Sequence, residues 1–209
     1  MGTTIVSDEI RQRILTYFEN QAQRHGLSAF TVDRMAKDLK ISKRTIYQHF
    51  PTKDAIITTF MDSVKHRIDE HFGAMEKLDL PASMIMIKSL KGILDILTPF
   101  LNQGISDLKT LYPEIWQSLV AFRKGKFDQI FKLLRQAQTD GEINPNLNMN
   151  RLAYLLPQIL DELFQPEVVF HPSHASRDMM EEVFLILFQG IFTGSTRDSF
   201  PQLLKQQAE

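Results

Sequence analysis

Residues 31–53, TVDRMAKDLKISKRTIYQHFPTK, decide how this chain reads. Thr31 is placed to cap a helix, because its hydroxyl can accept a hydrogen bond from an otherwise unpaired N–H of the first turn. Val32, Met35, Ala36 and Leu39 then recur at helical spacing on one face. Ser42 is the next strong cap, and it opens KRTIYQHF. Within that helix Ile46 and Phe50 lie four apart and pack inward. Lys43, Arg44, Thr45, Tyr47, Gln48 and His49 are left to face outward. Those side chains suit base edges and phosphates. Thr52 caps a third helix, and Lys53 stands beside its N-terminus, where a phosphate is welcome. The stretch is two short helices around a tight turn, the second equipped for DNA.

From about Ile10 to Phe60 the chain resembles the DNA-binding domain of the tetracycline-repressor (TetR) family. The resemblance takes in Ile10, Ile14, Leu15 and Phe18 of a preceding helix, then Gly26, then Thr31–Leu39 and the run ISKRTIYQHFPTKDAI. Its most specific part is the pattern Tyr47, Phe50 and Lys53. One position departs from it. The turn between the two short helices usually carries glycine, and here it carries Lys40. A non-glycine residue at positive φ is uncommon and mildly strained. Either this turn takes another geometry or Lys40 tolerates the strain.

Composition agrees with such a partner only through its distribution. The net charge is −1. It divides into +3 over residues 1–66 and −4 over the other 143, and residues 31–53 alone carry +4. Basic charge therefore gathers on the helix-turn-helix. Cysteine is absent, which excludes disulfides, thiolate metal sites and a thiol nucleophile. No apolar run approaches the roughly 18 residues of a membrane span, and Met1–Ser7 reads as a short polar arm rather than a signal peptide. The expectation is a soluble cytoplasmic protein. At 209 residues, 43% of them hydrophobic, the chain can bury a sizeable core.

The expected fold is all-α: a three-helix DNA-binding unit over 1–52, a connecting helix over 53–77, and a larger helical unit over 78–209. The first helix is expected over 8–25, capped by Ser7 or Asp8 and ended by Gly26, with the two short helices over 31–38 and 42–49. Residues 82–101 are apolar on every side, as in a helix buried within a helical layer, with Pro99 kinking or ending it. Helices follow over 105–111, from Pro113 to 138, over 149–164 and over 177–193, with a tail helix after Ser199. Asp140-Gly141 is a stop. QPEVVFHPSHAS, between the last two long helices, reads as an ordered loop.

The resemblance implies a ligand-responsive regulator, most simply a repressor, that binds palindromic double-stranded DNA as a homodimer. Lys43, Arg44, Thr45 and Gln48 are the candidates for base edges. Thr31, Ser42, Tyr47, His49 and Lys53 are the candidates for phosphates. The family's effector domain is a helix-walled cavity for a small, often lipophilic or aromatic molecule. Met86, Leu90, Phe100, Trp116, Phe122, Phe127 and Phe131 are candidates to line it here, although the sequence does not separate them from ordinary core. No buried charge marks that molecule's polarity, and His71, Gln117, Gln158 and Asp161 are candidate polar anchors. The last two long helices carry an apolar excess. The resemblance implies that they pair with their copies in a four-helix seam through Leu156, Leu160, Leu163, Phe184, Phe188 and Ile191. Ordinary core within one chain is the alternative. No cofactor is implied, and no membrane partner. His66 and Glu70 lie four apart near His71, and His171 and His174 share a loop. Two ligands fall short of a catalytic metal site, which needs about three and an open position. With no phosphate loop or nucleophile elbow, an enzyme reading is weak. An effector-free DNA-binding protein with an architectural or cell-cycle role stays open.

Overall fold

The computed structural model describes residues 2–26, 30–100, 106–163, 165 and 176–205. Among these residues the regular elements are helices, and an isolated bridge of Ile143 opposite Phe192 is the nearest approach to a sheet. The chain runs through α1 (Gly2–His25), α2 (Val32–Leu39), α3 (Lys43–His49), α4 (Lys53–Met75) and α5 (Ala82–Leu97). A 3₁₀ turn at Thr98–Phe100 follows, then α6 (Ser106–Leu111), α7 (Pro113–Thr139), α8 (Met149–Leu163), α9 (Ser176–Gln189) and α10 (Gly194–Lys205).

Most boundaries follow from local chemistry. Pro99 ends α5, since a proline ring clashes with the preceding turn and offers no N–H. Pro113 opens α7, where a missing N–H costs nothing. Gly141 closes α7 at φ 79°, with Glu142 N–H donating to the Ala137 carbonyl at 2.9 Å and Gly141 N–H to Gln138 at 3.1 Å. That paired closure is a Schellman motif.

Three ends differ from expectation. α1 begins at Gly2, so the polar arm is helical and Ser7 and Asp8 lie inside the helix instead of capping it. Residues 2–7 hold no proline, and their modest helix propensities cost little once a long helix follows. α9 stops at Gln189, and the chain turns back toward the segment after α7. There Asn144 N–H donates to the Ile191 carbonyl and Thr193 N–H to Glu142. α10 starts at Gly194, five residues before Ser199, and holds Pro201 within it.

The core has two centres. In the first, Ile14, Phe18, Met35, Ile46 and Phe50 from α1–α3 meet Ile56, Ile57 and Phe60 of α4. The Phe18 ring stands edge-on to Phe30 and Phe60, with centroids 5.0 and 5.2 Å away. In the second, α5 packs on α4 and α7, and Phe184, Phe188, Phe192 and Phe200 form one buried aromatic group. Phe60 serves the first centre, while Met61, Val64, Ile68 and Phe72 of the same helix serve the second. Gly92 in α5 has a steric reason: a Cβ there would run into the ring of His71.

This packing corrects the expected pairing seam. Leu156, Leu160, Phe184, Phe188 and Ile191 are buried in the chain's own core. The side chain of Leu163 lies outside the described residues. Most of both apolar stripes faces inward, but Leu155 and Ile159 of the α8 stripe stand exposed, with Tyr154 on the same helix and Ile186, off the α9 stripe, exposed at 76%.

Candidate functional site

The helix-turn-helix is fixed from three directions. Its helices are capped as their sequence demands. Thr31 Oγ1 accepts from Arg34 N–H at 3.3 Å, Ser42 Oγ from Thr45 N–H at 2.9 Å, and Thr52 Oγ1 from Ala55 N–H at 3.0 Å. Each such cap contributes about 1 kcal/mol. The turn is fixed by Lys40, which adopts the left-handed conformation at φ 55°, ψ 41°. Lys40 N–H donates to Lys37 and Ile41 N–H to Ala36, again a Schellman closure. Lys40 therefore takes the backbone form that glycine would take, and the turn keeps that geometry.

The third restraint comes from α1, and sequence reading missed it. Arg13 donates to the Leu39 carbonyl at the end of α2, and Arg11 to the His49 carbonyl at the end of α3, both at 3.1 Å. The Arg11 guanidinium also lies 4.3 Å from the centre of the Phe50 ring. Tyr17 donates to Asp38 at 2.7 Å. Burial, with the bond to Asp38 and that carboxylate's charge, pushes the Tyr17 phenol up to about 12. Basic side chains at helix C-termini are favourable in general. Which helix ends these would reach depended on a tertiary approach that no local pattern encodes.

What remains outward on α3 is a polar, basic surface. Lys43, Arg44, Tyr47 and Gln48 are exposed, while Thr45 and His49 are half-buried. Ile46 and Phe50 are buried beneath them, as their spacing required. Thr45 Oγ1 lies 2.8 Å from Ser42 Oγ, so its hydroxyl is shared with the cap. Lys43 is ion-paired with Asp33 of α2, and the bond to that carboxylate holds its ammonium above the ordinary lysine range. Both partners are exposed, so a phosphate can outcompete Asp33 at little cost. Thr31 is exposed, and Lys53 is half-buried with its Nζ 5.3 Å from the centre of the Phe30 ring.

A second feature lies among α4, α5, α7, α8 and α9. It is a cavity of about 150 Å³. Leu90, Trp116, Phe122 and Phe127 line it, four of the residues expected there. Met86 and Phe131 do not, being packed into core elsewhere, and the Phe100 side chain lies outside the described residues. The remaining wall includes Met61, Val64 and Ile68 of α4 with Leu160 and Phe184. The expected polar anchors are elsewhere. His71 faces the Lys88 carbonyl at 3.1 Å, Gln117 is exposed, and Gln158 and Asp161 line an outer groove between α7 and α8. Contrary to expectation, charge does reach the cavity, through Lys65, Arg123 and Lys126. His66 meets Glu70 at 3.3 Å, and among the described residues no three His, Asp or Glu side chains gather as a metal site. His171 and His174 lie outside them.

Comparison with known proteins bears on both features. Residues 17–58 match the family described as bacterial regulatory proteins, tetR family. The chain is also 24% identical, over 195 residues, to the uncharacterised HTH-type transcriptional regulator YvaF of Bacillus subtilis, covering 90% of this chain and 98% of that one. The match makes residues 17–58 a tetR-type DNA-binding head. Solved structures share the fold of the chain over nearly its full length. A putative transcriptional regulator from Saccharomonospora viridis in complex with choline superposes with a TM-score of 0.67 at 22% identity, covering 90% of this chain and all of that one. A gamma-butyrolactone receptor described as ArpA-like superposes with a TM-score of 0.65 at 12% identity, covering 96% of each chain. The residues expected to touch DNA sit together on one capped, anchored helix and its flanks.

Proposed function

We propose that this chain is a TetR-family repressor that leaves its operator when a small molecule fills the cavity. Residues 1–52 act as the DNA-reading unit, α4 connects, and residues 78–209 hold the effector and pair two protomers. The observation that carries this reading is the shared helix. α4 begins at the cap beside the reading helix and continues unbroken into the cavity wall through Met61, Val64 and Ile68. A change in the cavity is thereby a change in the helix that seats α3. The choline complex and the butyrolactone receptor support a ligand site in this fold. A cavity in the described structure favours an effector over the effector-free alternative.

On DNA, Lys43, Arg44, Thr45 and Gln48 read base edges, and Thr31, Ser42, Tyr47, His49 and Lys53 hold phosphates. Two protomers present their α3 helices to successive major grooves, about 34–36 Å apart for half-sites one turn apart. The apolar face of Tyr154, Leu155, Ile159 and Ile186 is the surface through which they pair. The protein works in the cytoplasm, where its operator lies. No described helix is long and apolar enough to cross a membrane. The test is selection from random duplexes. Enrichment of a palindrome by the wild type, lost when α3 carries Arg44→Ala and Gln48→Ala, is the expected result. A wild type that enriches no palindrome overturns the reading.

A further inference from the structure

The cavity sorts charge by depth. Its walls are apolar, yet three cations reach it: Lys126, Lys65 and Arg123, whose side chains are 12, 18 and 19% exposed. Their carboxylate partners, Asp69, Asp62 and Asp161, are 52, 59 and 46% exposed, and none of them lines the cavity. Positive charge thus faces the void and negative charge faces water. We propose that the effector is an organic acid with a compact apolar body and a single anionic head, held by Lys126, Arg123 and Lys65. This rests on the reading of the cavity as the effector site.

A cationic ligand fits poorly here. The aromatic faces that would receive it already hold the chain's own cations. Lys126 Nζ stands 4.9 and 5.3 Å from the centres of Phe72 and Phe122, and the Arg123 guanidinium 6.0 Å from that of Trp116. A neutral apolar ligand would press three cationic groups against its surface and satisfy none. An anion receives short, charge-assisted hydrogen bonds from the same groups, in surroundings that water screens weakly. The displaced carboxylates, already about half exposed, return to solvent. Size limits the body, since an apolar cavity of roughly 150 Å³ holds a ring such as benzene.

The same cations tie helices together. Lys126 of α7 pairs with Asp69 of α4, Lys65 of α4 donates to Ser118 of α7 at 3.0 Å, and Arg123 of α7 pairs with Asp161 of α8 at 2.8 Å. An acid that recruits Lys126 competes with Asp69, and so loosens a tie to the helix that seats the reading head.

The test is calorimetric titration of the full-length protein with phenylacetate and octanoate, their methyl esters, and benzyltrimethylammonium. The acids should bind about ten- to a hundredfold more tightly than their esters, the span of one charged hydrogen bond. Lys126→Met should reduce that preference, lowering acid affinity by more than ester affinity. Asp69→Asn removes the competitor and should tighten acid binding. A merely structural role predicts that both substitutions weaken it. Thermal melting of each free variant shows whether it is folded, and Asp69→Asn keeps the question answerable if Lys126→Met is not. Acids and esters of equal affinity, or a preference for the ammonium, overturn the organic acid while leaving an effector cavity standing. Acids that bind as stated without weakening operator affinity overturn the effector reading and leave the anion site. Failure of every probe to bind overturns both.

Discussion

The two ends of α4 are built to opposite rules. Around its N-terminus the aromatic side chains Phe18, Phe50 and Phe60 are buried, and capping residues, Arg11 and Arg13 satisfy helix termini. Around its middle, Trp116 and Phe122 remain half-buried beside a void, and helices are tied by ion pairs whose carboxylates face solvent. The first arrangement holds one geometry at a steep cost for any other. The second can yield to a ligand at small cost. A switch needs both: a part that does not deform, and a part that does.

The largest expected effect tests the rigid end. Phe18→Ala should cost about 3–5 kcal/mol, as buried aromatic truncations do, and operator binding should fail with it. Phe122→Ala, beside the cavity, should cost clearly less by denaturant titration. Equal losses would erase the distinction. Next comes pairing. Leu155→Glu with Ile186→Glu places unpaired charge on the face proposed for the dimer, a penalty on the order of 3–5 kcal/mol if that face is buried there. Sedimentation should turn a dimer near twice 24.2 kDa into monomers. A pair of variants that still dimerises assigns the seam to another surface.

Arg44→Ala should remove about 1–3 kcal/mol of discrimination at one base position per half-site, while Tyr47→Phe should weaken all duplexes alike. A smaller effect concerns Lys40. Left-handed geometry costs an L-residue about 1–2 kcal/mol, and the greater freedom of glycine when unfolded returns part of that. Lys40→Gly should therefore stabilise the head slightly, by up to about 1 kcal/mol by these same figures. Last is Tyr17. Its phenol titrates higher folded than unfolded, so the stabilising contribution is complete below pH 10 and is lost as pH rises toward about 12. Tyr17→Phe should flatten that part of the stability profile.

The head was legible because its determinants are local. Thr31, Ser42 and Thr52 each act within three residues, and Ile46 and Phe50 declare their face by spacing. The larger unit was legible as helices but not as surfaces. On α8 and α9 the strongest stripe meets the chain's own core, and periodicity cannot say whether a stripe meets its own chain or a copy. Lys65, Arg123 and Lys126 were missed for a related reason. Each is a common surface type in an amphipathic helix, and only the meeting of α4 with α7 turns them inward. Arg11 and Arg13 gave no local signal at all.

α4 can also be regarded as a lever. Its 23 residues span about 34 Å at 1.5 Å each. A tilt of about 5° around its midpoint moves each end by roughly 1.5 Å, and two-fold symmetry doubles the change in spacing between reading heads to roughly 3 Å. Set against a groove repeat of about 34 Å, that is the length of a hydrogen bond. Operator contacts would be lost one half-site at a time, with no helix melting and little change in the cavity itself. Crystals of the free and DNA-bound forms would then differ by only a few degrees.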